Sequence, residues 1–334
     1  MAFVGVAAVA ALAAVAWYVG GFVPIIGAPV LALVAGLVMR TVTGAPPAVR
    51  PGVDFTLKRL LRLAIILFGA TLSFGQVVSI GAGSFTVIAA TIVLALGLTS
   101  VLGRWLRAPA GLVRLIGIGT AICGATAIIT VGPIIESREE EIAFAVTTIF
   151  LFNMLAVVAY PLLGHALALS NSVFGVWSGA AIHDTSSVLA AAFAFSEPAG
   201  QVATVVKLTR TLALVPLALL YGVAHSYAQA RGARAGSAGG RTGVTVNLAK
   251  IFPWFILWFV GAALLNTFGL VGVSAGRWAS LIGKFLVIMV MAAVGLSADL
   301  ARMREIGLRP VYVGLAASVM IAVVSIGLIR ILMP

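Results

Sequence analysis

Apolar residues in this chain do not alternate with polar ones as on a surface helix or a half-buried strand. They run in unbroken blocks, each long enough to cross a hydrocarbon core of about 30 Å, and each closed by a short polar interval. Eleven such blocks predict helices at residues 2–19, 22–40, 58–80, 84–104, 111–135, 140–164, 170–195, 199–225, 250–270, 277–300 and 307–332. The pattern therefore predicts an all-α polytopic membrane protein with about eleven transmembrane helices.

The intervals carry an orientation. Arg40, Arg50, Lys58 and Arg59 flank one, Arg104, Arg107 and Arg114 another, Arg231, Arg234, Arg241 and Lys250 a third, and Arg302, Arg304 and Arg309 a fourth. All four fall on one side if the N-terminus is cytoplasmic and the C-terminus outside, as cytoplasmic loops rich in Lys and Arg require. On the opposite side this count places residues 76–83, which carry no charge, and the mostly acidic run from Glu136 to Glu141. Residues 228–248, rich in Gly, Ala and Arg at their start, read as a flexible cytoplasmic linker between helices 1–8 (residues 1–227) and helices 9–11 (residues 249–334) of one membrane domain.

Composition sharpens this picture. A chain that is 62% hydrophobic and 9% charged is not an ordinary soluble domain. The net charge of +12 lies in loops rather than in one basic stripe, which argues for a bilayer and against nucleic acid as the partner. One cysteine excludes a disulfide framework and a Cys-based metal cluster. The stretch from Ala2 to Val19 lacks a basic leader and reads as a retained helix.

Two blocks contain helix-breaking sequence. The fifth, GLVRLIGIGTAICGATAIITVGPII, carries Gly117, Gly119, Gly124 and Gly132 with Thr120, Thr126 and Thr130 between them. Glycine costs a helix about 1 kcal/mol relative to alanine, so this density invites a break inside the membrane. The seventh contains GAAIHDTSSV, which can be laid over GTAICGATAI of the fifth, and its run from His183 to Ser187 is too polar to face lipid. A half-helix starting at midplane aims free amides at a cavity, which suits an anion. Close packing through small residues is the competing explanation for the glycines.

Lys207 and Arg210 lie three apart on one face of the eighth helix, where charge in a bilayer marks a transport path unless the side chains snorkel to an interface. Arg210 would give an oxyanion a fork of donors and Lys207 a point charge. Thr126, Thr185 and Ser186 would add hydroxyls, with Thr120, Gly124, Ser187 and Thr211 beside them. His183 could couple transport to protons, and Asp184 could bind sodium or hold Arg210 in place. Asn153, Asn266 and Lys284 are weaker site candidates, which packing or snorkelling explains at least as well. No metal site, Walker A or dinucleotide motif is present, and His183, Asp184 and Ser186 are too close in sequence for a catalytic triad. The expectation is not an enzyme and no cofactor beyond a coupling proton or sodium ion.

A faint internal repeat adds to this. Gly36 precedes the Leu72-Ser73 pair as Gly261 precedes Leu296-Ser297, so helices two to four resemble helices nine to eleven in opposite orientation. The seventh segment points the same way as the fifth by loop count, which a permuted repeat or a re-entrant segment would resolve.

The stretches GTAICGATAIITVGPII, GAAIHDTSSVLAAAF and VVKLTRTLALVP resemble the YeiH-type family, also called UPF0324, whose members are described as sulfate exporters. The resemblance covers nearly the whole chain and implies a bacterial inner-membrane secondary transporter. More distantly, LFGATLSF followed by a helix, a glycine-rich broken helix and a helix opening after acidic residues is similar to one half of the bile-acid/sodium symporter fold. That fold implies a panel of helices, a core crossed by two broken helices, and elevator-like motion; here the seventh segment precedes the second triplet instead of following it. The resulting expectation is a carrier of a small inorganic or sulfonated anion such as sulfate, with a homodimer as the prior for carriers of this size. The alternatives are a sodium/proton-type cation antiporter centred on Asp184 and an uncoupled anion channel.

Overall fold

The computed structural model describes residues 2–23, 27–44, 47–234, 251–298 and 308–332, and every regular element among them is helical. In order these are α1 (Ala2–Gly20), α2 (Gly27–Thr43), α3 (Arg50–Phe55), a π-helical turn (Thr56–Leu60), α4 (Leu61–Gly69), α5 (Phe74–Trp105), α6 (Ala110–Ala121), α7 (Ala125–Ile134) and α8 (Glu139–Ala166). They continue with α9 (Asn171–Ala181), α10 (Thr185–Phe195), α11 (Glu197–Leu212), α12 (Leu214–Arg234), α13 (Phe255–Thr267), α14 (Val273–Ser297) and α15 (Leu308–Leu332). Six of the spans are long and apolar enough to cross a membrane, and the chain is membrane-embedded.

One expected boundary moves. The chain breaks at residues 70–73, not at 76–83, because Ser73 and Gln76 form a reciprocal capping box that starts α5 there. α5 then runs unbroken for 32 residues through the expected loop. The expected linker also starts late: α12 continues to Arg234, and residues 235–248, with Arg241, lie outside the described residues. Lys250, Arg302 and Arg304 lie outside them too.

The fifth and seventh blocks break where glycine and polar residues predict, but the breaks reverse the chain. On the first, a Cβ at Gly119 would sit 2.7 Å from Ile128, and one at Gly132 3.7 Å from Leu115, so α6 and α7 pack antiparallel. On the second, Phe174 near the start of α9 stacks on Phe195 at the end of α10 with ring centroids 4.0 Å apart, and Ser196 Oγ donates to Asn171 Oδ1 at 2.7 Å. Each pair is a helical hairpin. Arms of 10 to 12 residues rise about 15–18 Å, roughly half the depth of a hydrocarbon core. These segments enter and return on one face; they are not the broken spanning helices expected.

α8 fixes where the hairpins stand. Its first residue follows α7 and its last precedes α9, so a helix of 28 residues separates the base of hairpin 1 from the base of hairpin 2. The hairpins therefore enter from opposite faces. Two re-entrant segments leave the side of every strongly basic loop unchanged and move only the intervals between them. The acidic run Glu136–Glu141 thus shares a face with Arg104 and Arg107.

Packing divides the helices into two apolar clusters. One holds the hairpins with the buried faces of α5, α8, α12 and α15. The other joins α1 to α4 with α13 and α14, and touches the first through residues such as Leu189 of α10 and Val205 and Leu208 of α11. α2 and α14 cross at backbone contact, where a Cβ on Gly36 or Gly295 would strike the facing backbone. Lys284, on α14, forms an ion pair with Glu197 at 2.7 Å across the two clusters, and Asn266 Nδ2 donates to Leu72 O at 3.1 Å. Both residues thus bond to protein.

The two-hairpin topology is checked by single-cysteine labelling in a Cys123→Ala background. Arg107→Cys and Glu140→Cys should react from the same side of oriented vesicles, and Leu167→Cys from the other. Labelling of residues 107 and 140 from opposite sides would restore a spanning fifth helix.

Candidate functional site

A helix that stops inside a membrane leaves its last carbonyls without partners, at a cost of several kcal/mol each where no water reaches them. Two helices stop so here, α6 at Ala121 and α9 at Ala181, and both face α11. Lys207 and Arg210, one turn apart on α11 and both 0% exposed, reach into the gap between the hairpin tips. Lys207 Nζ donates to Ile122 O at 3.0 Å, to Ile182 O at 2.9 Å and to His183 O. Arg210 Nε donates to Ala121 O at 2.8 Å, Nη2 to Thr120 O at 2.6 Å, and Nη1 to Ala180 O at 2.6 Å and Ile182 O at 3.4 Å. Each cation thereby grips both hairpins.

Snorkelling is ruled out by this burial. So is a pairing of Asp184 with Arg210: the Asp184 carboxylate accepts from Ser186 N at 2.9 Å and from the Ser186 hydroxyl, and caps α10. With the donors of Lys207 and Arg210 committed to carbonyls, direct contact with a substrate would first have to break that clasp. The favourable electrostatics lie with the helix C-termini, each of which carries about half a negative charge.

At the opposite ends of the tips the α7 start is uncapped and the α10 start is capped by Asp184. α7 begins after Gly124, whose φ of 64° lets the chain reverse, and no side chain caps its first turn. A Cβ at Gly124 would lie 3.4 Å from Asp184 Cβ, so the N-termini of α7 and α10 meet. Thr126 is exposed there, Asp184 and Thr185 are half-buried, and Ser186 and Ser187 are buried. Two partial positive charges, four hydroxyl-bearing residues and one carboxylate thus converge at mid-depth. Thr211 stays apart, its hydroxyl donating to Lys207 O at 2.8 Å within α11.

His183 turns the other way, toward α15. Its Nε2 lies 2.8 Å from Ser318 Oγ, which itself lies 2.7 Å from Gly314 O. His183 Nδ1 and Thr120 Oγ1 are sealed from solvent with no side-chain hydrogen-bond partner among the described residues. Asn153, which sequence reasoning ranks as a weaker candidate, accepts the Asp184 amide at 3.1 Å and so fixes the turn of hairpin 2 from α8. Its signal was present, as an amide alone in an apolar helix. Ser318 had none, because small hydroxyls are common in membrane helices.

Replacing Arg210 by Met should strip the carbonyls of Thr120, Ala121 and Ala180 of their donor and cost about 3–5 kcal/mol, as breaking a buried charged contact does. Thermal unfolding of solubilised protein checks this, with Arg210→Lys intermediate and the exposed Arg330→Ala within about 0.5 kcal/mol of wild type. A wild-type transition for Arg210→Met would remove the clasp.

Comparison with known proteins agrees with the resemblance seen in the tip sequences. The family described as Conserved hypothetical protein 698 matches residues 4–314. A UPF0324 membrane protein of Clostridium tetani is 34% identical over 327 residues, covering 96% of this chain and 95% of that one. A UPF0324 membrane protein of Streptococcus pyogenes is 38% identical, covering 95% and 93%, and one of Streptococcus pneumoniae 36% identical, covering 97% and 95%. With the match spanning both hairpins and α11, this chain belongs to the UPF0324 family of membrane proteins.

Proposed function

We propose that this protein is a secondary transporter that carries a small oxyanion, inorganic or sulfonated, through a site between the two hairpin tips. The observation that supports it most is the separation of helix ends by sign. The negative C-termini of α6 and α9 are neutralised by buried Lys207 and Arg210, while the positive N-termini of α7, which no side chain caps, and of α10, capped by Asp184, meet beside Thr126 and Thr185. Helix ends of about half a charge each cancel over four termini, so two cations and Asp184 leave about one net positive charge. That balance suits a monoanion, or a dianion such as sulfate travelling with a proton or sodium ion. Asp184 would bind that ion, and His183 would sense protonation from behind the tip.

Alternating access follows naturally from two clusters. The hairpins with α5, α8, α11, α12 and α15 would move as a core against a panel of α1–α4, α13 and α14. A permuted inverted repeat fits this arrangement: α2–α5 correspond to α13–α15, with hairpin 1 beside α5 and hairpin 2 beside α15. The reciprocal contacts of Gly36 with Gly295 and of Gly69 with Phe259 support it.

The test is counterflow of labelled sulfate, sulfite and methanesulfonate in proteoliposomes. Thr126→Val and Thr185→Val should each slow exchange of the transported anion at least about tenfold, the value of a hydrogen bond to a charged ligand. Sodium or proton exchange that ignores every anion but stops in Asp184→Asn would replace this reading by a cation antiporter. Conductance without counterflow would make it a channel.

A further inference from the structure

A cleft of about 340 Å³ lies between α8, the end of α9 and α15, on the far side of hairpin 2 from the meeting N-termini of α7 and α10. Its size is that of a small-molecule site. Its mouth is formed by Leu155, Leu163, Val319 and Val323, all exposed on the surface that meets lipid. Its inner end is polar, built from Asn153, Tyr160, His183 and Ser318. Walls that are almost wholly apolar and end in a few polar atoms are wrong for an inorganic ion and suit an amphipathic molecule.

The floor asks for a hydrogen-bond acceptor. Asn153 Oδ1 is used by the Asp184 amide, whereas Asn153 Nδ2 and the Tyr160 hydroxyl have no partner among the described residues. Neither is among the atoms sealed from solvent, so both open onto the cleft. Behind the floor stands positive charge, because Ile182 and His183, which line it, are held through their carbonyls by Lys207, and Ile182 also by Arg210. The Tyr160 ring itself stacks on Trp177 at 4.3 Å, and Trp177 Nε1 donates to Ala322 O at 2.8 Å, so the aromatic wall is fixed.

We propose that this cleft binds a small amphipathic acid, an alkyl chain of medium length ending in a carboxylate or sulfonate, entering sideways from the bilayer. The chain lies against the α8 and α15 walls, and the head accepts hydrogen bonds from Asn153 and Tyr160. This site is separate from the one between the tips and does not depend on the transport reading. A ligand seated there braces the back of hairpin 2, so its occupancy bears on whatever that hairpin does.

The experiment uses the full chain in lipid nanodiscs and reads quenching of tryptophan fluorescence by 8-bromooctanoate, with octane-1-sulfonate as competitor. The quenching should contain a saturable component that the sulfonate displaces and that vanishes in Trp177→Phe, leaving only the linear quenching of the exposed tryptophans, such as Trp258 and Trp278, by acid dissolved in lipid. Tyr160→Phe should weaken the acid about tenfold by removing one donor to a charged head, and Ala156→Phe should abolish binding by filling the cleft. Octan-1-ol should compete at least about tenfold more weakly than the sulfonate. Quenching with no saturable component, or a saturable component that survives Ala156→Phe or that octan-1-ol reverses as well as the sulfonate, would overturn the proposal, the last two by showing lipid-like partitioning. None of these outcomes depends on anion counterflow, so the two readings fail separately.

Discussion

The structure depends on how carbonyl groups are satisfied where water is absent. α6 and α9 end near mid-depth, and each would leave a cluster of unpaired oxygens in an apolar interior. Lys207 and Arg210 answer both ends at once from a single face of α11. Burying two cations side by side is itself costly, by several kcal/mol per ion after relaxation, and neither would be stable there without the negative helix ends. The clasp and the hairpins therefore require one another, and the position of α11 follows from that mutual need.

Because the cations are spent on the C-termini, the N-termini set the character of what remains. Gly124 permits the reversal that brings α7 against the Asp184 turn, and Asn153 on α8 holds that turn from the other side. Each tip is thus tied to a full-length neighbour by a hydrogen bond or close contact, while the first turn of α7 is left without a side-chain cap. An uncapped helix start inside a membrane protein is expensive unless something occupies it, which is the physical basis for reading the tips as a ligand site.

The two apolar clusters meet through aliphatic side chains of α10 and α11, through Phe193 of α10 stacked on Phe68 of α4 at 4.3 Å, through the close approach of Gly27 on α2 to Ala194 on α10, and through an ion pair, Lys284 to Glu197, near an end of α11. Within the second cluster the contacts are of another kind: α2 and α14 approach until glycine backbones touch. Such close contact resists sliding, whereas aliphatic surfaces without interlocking backbone tolerate it.

Much of this was written locally in the chain. Block length and the placing of arginines determined a polytopic helical protein, glycine and polar density located both interruptions, and the three-residue spacing put Lys207 and Arg210 on one face. Those are properties of single segments, set by helix propensity and by the cost of charge in lipid. What the interruptions do is not a property of a single segment. A break at Gly124 is equally consistent with a crossing helix and with a hairpin, and the choice is made by whether α7 packs back along α6, as Ile128 does on Gly119. The targets of Lys207 and Arg210 were equally hidden, because their acceptors are backbone carbonyls, which every residue carries and no sequence pattern marks. Tertiary structure alone decided that the two basic side chains face helix ends, since only the meeting of the tips brings those oxygens within reach.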